Sequence, residues 1–244
     1  MTGLSDPVHD ARTPGDRGIA IAEILLCSSV PTQLAIGGLL RAVGWAPADA
    51  AGRLSLRFVF ALSLADTGVL IVLMLLLMRA HGESALHLWM GPRPIGREVV
   101  IGLLTAPLLF VAVGILLNTL RLVTPLLHNV QTNPLEQLAA TPGQAAMFSF
   151  VAIVAGGVRE ELQRAFMLRR FERSLGGAAV GAVLVSIAFG LGHVVQGWDA
   201  VITTGTLGAF WAGMYLWRRG SIAPVVSHAG FNSLEILRVA MVGQ

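Results

Sequence analysis

Lysine is absent from this sequence, and all 17 basic residues are arginine. Cysteine occurs once, at Cys27, which excludes an internal disulfide and any CxxC site. Charge is scarce: Asp, Glu and Arg make up 13% of the chain, against about one quarter in a soluble domain. The HExxH pattern of soluble zinc peptidases is missing. No short apolar stretch ends in a small-residue cleavage site, so no cleavable signal is read. No internal repeat is visible. The arginines are scattered between apolar runs, so the high isoelectric point, near 10.3, does not point to nucleic acid as a partner.

What the chain does have is apolar length. Hydrophobic residues make up 55% of its 244 positions and the mean hydropathy is +0.72, which reads as an integral membrane protein in a lipid bilayer. A spanning helix needs about 20 mostly apolar residues. Seven stretches qualify, at 19–40, 57–78, 99–122, 144–168, 177–196, 200–217 and 222–242. An eighth span is the alternative count. The predicted fold class is all-α and polytopic, with residues 1–18 as a polar disordered tail. Residues 19–143 then form N-terminal helices and loops, and 144–242 a C-terminal core. With the N-terminus in the cytoplasm, ten arginines fall in inside segments and five in outside ones, the bias that sets orientation.

The C-terminal core carries polar residues where lipid-facing sequence should have none. Glu160, Glu161 and Arg164 interrupt the fourth stretch, and Phe189 with His193 ends the fifth. His228 and Asn232 lie four apart in the seventh, on one helix face. Glu160 and Arg164 share the same i,i+4 spacing and are expected to pair, and Glu161 stands three from Arg164. Gly176–Gly177 lies midway between Glu160 and His193, so an antiparallel hairpin brings these two to similar heights. Small residues at Gly156, Gly157, Gly190, Gly192 and Gly230 permit close helix approach. A carboxylate and an imidazole in a semi-apolar cavity can take a proton from water. A second imidazole with an amide can donate hydrogen bonds to an oxyanion. The same Glu160, His193 and His228 could instead ligate a divalent metal such as zinc. Taken one motif at a time, the plainer readings are an ion-pair network and interhelical hydrogen bonds. Glu235 shares a face with His228 and Asn232 and could orient one of them. Asp66 and Glu23 read as structural, and Trp45, Trp89, Trp198 and Trp217 as an interfacial belt.

Together these residues resemble the CPBP family of intramembrane proteases: the type II CAAX prenyl endopeptidases and the bacterial bacteriocin-processing and self-immunity proteins. That family's pattern is EExxxR, then FxxxH, then HxxxN. Here the counterparts are Glu160–Glu161 with Arg164, Phe189 with His193, and His228 with Asn232. The first motif departs from the pattern. "EELQR" is one residue short, so either the glutamate doublet aligns or Arg164 does, with Arg159 in the first glutamate's slot. The resemblance implies an all-helical endopeptidase of the bacterial plasma membrane acting on a membrane-associated protein or peptide. It implies that Glu160 and His193 activate water and that His228 and Asn232 form the oxyanion site. No cofactor is favoured on this mechanism. The rival readings are a non-catalytic immunity or scaffold protein of the same fold, and a proton-coupled transporter.

Overall fold

The computed structural model describes residues 14–242. Among them every regular element is helical, apart from one isolated bridge between Ala48 and Leu54. Most of the expected tail, residues 1–13, lies outside the described residues, and helix α1 occupies Pro14–Leu26. Then follow α2 (Val30–Ala42), α3 (Leu56–Ala80), the short α4 (Ala85–Met90) and α5 (Ile95–Val123). The C-terminal part holds α6 (Pro142–Val151), a π-helical segment (Ala152–Arg159), α7 (Glu160–Ser174), α8 (Ala178–Leu191), α9 (Trp198–Arg218) and α10 (Ile222–Val242).

Among the described residues three stretches are long and apolar enough to cross a bilayer: Gly15–Ala42, Leu56–Ala80 and Ile95–Val123. The chain is an integral membrane protein. The helices after residue 141 are shorter or more polar. α8 has only 14 residues, and α10 carries His228, Asn232, Glu235 and Arg238.

The first expected span, 19–40, is broken. α1 ends at Leu26, and α2 begins at Val30 after Ser29, whose φ of 69° is left-handed. Pro31 supplies a local cause: it has no N–H to offer the Cys27 carbonyl four residues back. That carbonyl accepts a hydrogen bond from the Gln163 amide instead.

The fourth stretch runs unbroken from Pro142 to Ser174 but changes pitch inside. Its start is marked by Thr141, whose hydroxyl caps the Gln144 N–H, with Pro142 in the first turn. α7 is polar in sequence yet lies at the centre of the molecule. Its apolar side chains Phe166, Leu168 and Ala165 are almost wholly buried. Phe166 packs with Leu70, Met74 and Met78 of α3, and Leu168 with Ala212 and Tyr215 of α9. Trp89, read as part of an interfacial belt, is half-buried and donates Nε1–H to the Leu162 carbonyl at 3.2 Å. The charges of α7 find partners: Arg170 joins Glu23 and Glu83, so Glu23 ties α1 to α7. Asp66, fully buried in α3, accepts from Thr32 and from Gln33 at 3.3 Å, joining α2 to α3.

α8 and α9 meet backbone to backbone. A Cβ on Gly190 would lie 2.5 Å from the Val201 carbonyl oxygen and 3.1 Å from the Gly205 Cα. Neither atom can move without shifting α9. Gly190→Ala is therefore expected to lose about 1–3 kcal/mol, read as a lower melting temperature in detergent. Gly213→Ala is the control, because nothing lies within 4 Å of that position. Equal melting temperatures for the two variants would contradict the close crossing.

Candidate active site

The π-helical segment sets the geometry of the first motif. A π turn inserts an extra residue per hydrogen-bonded loop and commonly marks functional positions. Here it carries Gly156 and Gly157 against α10. A Cβ on Gly157 would meet the Ala229 Cβ at 2.6 Å, and one on Gly156 would meet the Asn232 amide nitrogen at 2.5 Å. Only glycine lets the two helices close, and the closure puts Glu160 across from His228.

A cavity of about 820 Å³ opens beside this crossing. Four of the six sequence candidates line it: Glu160, His193, His228 and Asn232. The other two, Glu161 and Arg164, lie behind the wall with side chains only 1% and 2% exposed. Arg164 grips Glu161 through two bonds, Nε to Oε2 at 3.0 Å and Nη2 to Oε1 at 3.2 Å. The expected pairing of Arg164 with Glu160 is thus corrected: the salt bridge is i,i+3, to Glu161. The reason is that Glu160 turns to the cavity, where Arg159 takes its Oε1 at 3.1 Å.

Glu161 has a second partner. Its Oε1 lies 2.9 Å from His228 Nδ1. A carboxylate held by an arginine is an acceptor, so Nδ1 carries the proton and Nε2 is turned the other way. That Nε2 lies 3.9 Å from Glu160 Oε2. The ring is also clamped face to face by Trp211, with centroids 3.7 Å apart and planes 15° from parallel. Trp211 in turn donates Nε1–H to Ser227 at 3.2 Å. The His228 imidazole is thus fixed at its edge and on its face.

His193 does not lie inside a helix as expected. α8 ends at Leu191, and His193 begins the loop beyond it. Its Nδ1–H donates to the Phe189 carbonyl at 2.8 Å, because a carbonyl only accepts. Nε2 is left as the free nitrogen. Phe189 links the motifs: its ring contacts His193 (4.9 Å between centroids), His228 (6.0 Å) and Trp211 (6.4 Å). It also lies under the Arg164 guanidinium at 4.8 Å. Asn232 donates Nδ2–H to the Ala152 carbonyl at 3.3 Å, a long bond, and its amide still lines the cavity. Glu235 orients neither His228 nor Asn232; it pairs with Arg238 at 2.9 Å.

The free Nε2 atoms of His193 and His228 would suit metal ligation as well as water activation. The donor set does not converge for it: among the described residues no three His, Cys, Asp or Glu side chains are grouped to hold a metal ion.

Sequence reasoning missed Trp211. The interfacial belt explains tryptophans at span ends, whereas Trp211 lies six residues inside the end of the sixth stretch, and that position was the available signal. It also missed the part played by the linker. The linker before α6 lines the cavity through His128, Asn133 and Glu136. Asp199 accepts from Arg121 Nε at 3.0 Å and pairs with His128 Nδ1 at 2.8 Å. Asn133 donates to Gln196 at 3.1 Å, and Asn129 accepts from the Trp198 N–H at 3.0 Å. The four bonds fasten the linker and the end of α5 to the segment that follows His193.

Residues 141–234 match the family model described as type II CAAX prenyl endopeptidase Rce1-like. The matched stretch contains all six candidate side chains. This is a protease family, and the match supports a hydrolase. No curated protein and no solved structure matches the chain.

Proposed function

We propose, from the premise of an Rce1-like protease domain over residues 141–234, that the chain is an intramembrane endopeptidase using Glu160 and His193 to activate water. The reading rests on one observation above the others. Of six chemistry-bearing side chains, the four needed for attack and oxyanion binding line one cavity, and the remaining two lie behind His228 as its support.

The proposed steps follow from the free atoms. A water held between Glu160 Oε2 and His193 Nε2 gives its proton to Glu160 and attacks the peptide carbonyl carbon. The carbonyl oxygen becomes an oxyanion facing His228 Nε2 and the Asn232 amide. His228 donates there when its ring carries both protons, and the Glu161 carboxylate at Nδ1 stabilises that cation, as a carboxylate does behind a catalytic histidine. Glu160 then passes its proton to the amine nitrogen as the C–N bond breaks. Each proton taken from water is returned to a product.

The substrate is proposed to be a membrane-associated protein or peptide, and a cavity of about 820 Å³ is large enough for a short extended segment. The proposed topology is seven helices across a bacterial plasma membrane, with the N-terminus cytoplasmic. The test is proteolysis by purified protein on a panel of quenched fluorescent peptides. The panel covers sequences from co-expressed membrane and secreted proteins and one farnesylated Cys-aliphatic-aliphatic-X peptide. Cleavage by wild type that is lost in Glu160→Ala supports the reading; no cleavage by wild type, or equal cleavage by both, sinks it. Dialysis against a strong chelator is expected to leave turnover intact. Loss that zinc restores would show instead that Glu160, His193 and His228 act as ligands.

A further inference from the structure

Arg159 sits one residue before the glutamate doublet, in a segment that is otherwise apolar from Val151 to Val158. Its residue is only 8% exposed, so its charge must be accounted for inside the protein. Its guanidinium divides its contacts. Nη1 donates to Ser29 Oγ at 2.8 Å and to Gln163 Oε1 at 2.9 Å. Nη2 donates to Glu160 Oε1 at 3.1 Å. One edge of the fork is thus anchored to uncharged groups, and the other holds the carboxylate that faces the cavity.

The anchor is itself fixed. Gln163 donates its Nε2–H to the Cys27 carbonyl, the one left without a helical donor by Pro31. That bond decides which end of the Gln163 amide turns to Arg159. Ser29 is brought there by its left-handed backbone, a conformation rare for residues other than glycine. Strained positions of this kind persist where the surroundings hold them and collect at functional sites. The break between α1 and α2 therefore offers Ser29 Oγ to Arg159 and, through the Cys27 carbonyl, orients Gln163 Oε1 of α7 toward the same arginine.

The other charged and titratable groups about Glu160 are already committed elsewhere. Arg164 is bonded to Glu161, and His228 Nδ1 to Glu161 as well. His193 Nδ1 is bonded to the Phe189 carbonyl. Glu235 pairs with Arg238. Arg159 is the arginine that reaches Glu160 among the described residues. We infer that Arg159, braced by Ser29 and Gln163, is the positioning residue for Glu160: it holds Oε1 so that Oε2 alone faces the water and His228. The inference rests on the endopeptidase reading above. It also gives the short first motif a physical sense, since the arginine of that motif supports Glu161 and a different arginine supports Glu160.

The experiment uses full-length protein and whichever panel peptide wild type cuts and Glu160→Ala does not. Arg159→Gln is expected to lower kcat by about 10²-fold, the effect of a misplaced reacting group, with KM nearly unchanged. Arg159→Lys keeps the charge but lacks the fork, so it should recover folding and melting temperature while kcat stays well below wild type. Ser29→Ala covers the case in which Arg159→Gln fails to fold; it removes one brace only and should lower kcat without changing KM. Normal kcat in Arg159→Lys and Ser29→Ala would overturn the positioning role and leave the endopeptidase reading intact. A fall in activity that merely tracks the fraction of folded protein would overturn it too. If wild type cuts no peptide, or Glu160→Ala cuts as well as wild type, the endopeptidase reading fails and this inference fails with it.

Discussion

Glu160→Gln and His193→Ala are each expected to remove nearly all turnover, and the double variant is expected to be little worse than either. On the proposed mechanism one water is held and deprotonated between Glu160 Oε2 and His193 Nε2, so losing one holder wastes the other. Residues that act as a unit show this non-additivity. Positioned proton transfer contributes about 10²–10⁴-fold, and each single variant should lose that much. Both side chains line the same cavity, and neither lies in the buried salt bridge of Arg164 with Glu161. The folded fraction should therefore stay near that of wild type. The check is kcat for wild type, both single variants and the double variant, with melting temperatures beside them. Losses that multiply would mean that the two residues serve separate steps. Full activity in Glu160→Gln with loss only in Glu161→Gln would reverse the roles of the doublet.

Asn232→Ala should fold, bind substrate and turn it over about 10²–10³-fold more slowly, the cost of one oxyanion donor. The amide is a clean probe, because it cannot act as a base or as a good metal ligand. Its one bond is to the Ala152 carbonyl at 3.3 Å, too long to be a strong tie between α10 and the π-helical segment. If that bond were its purpose, the variant would lose stability instead, about 0.6 kcal/mol on average for intramembrane hydrogen bonds. Turnover per folded molecule would then be normal. Turnover per folded molecule against melting temperature separates the cases, and KM should change little because an oxyanion donor acts in the transition state.

Composition made the membrane class legible. Scarce charge and long apolar runs leave few alternatives to helices in lipid, and the described residues are helical throughout their regular elements. The three polar motifs were legible as a group. Glu160, His193, His228 and Asn232 line one cavity. Partner choice was not legible. Arg164 stands four residues from Glu160 and three from Glu161, and spacing on a helix favours both. Arg159 takes Glu160 and leaves Arg164 to Glu161, and helix spacing does not show that division of partners. The break at Cys27–Ser29 did leave a trace in Pro31, although the hydropathy of residues 19–40 hid it. The end of α8 before His193 follows a run with Gly190 and Gly192, two weak helix formers. The linker's place beside the cavity could not be read at all. Asp199 finds Arg121 and His128 across more than 70 residues of chain, a long-range contact that local pattern does not encode.

Single-turnover cleavage of one peptide by wild type and by Glu160→Gln, with binding of the same peptide measured in parallel, tests Glu160 as the base most directly. Glutamine keeps the shape of the side chain and an oxygen for Arg159, and loses only the ability to accept a proton from water. Wild type is expected to cut at a single bond, and Glu160→Gln to bind equally well while cutting about 10²–10⁴-fold more slowly. Equal cleavage rates for the two proteins would contradict the glutamate mechanism and leave the polar residues of this cavity as a packing network.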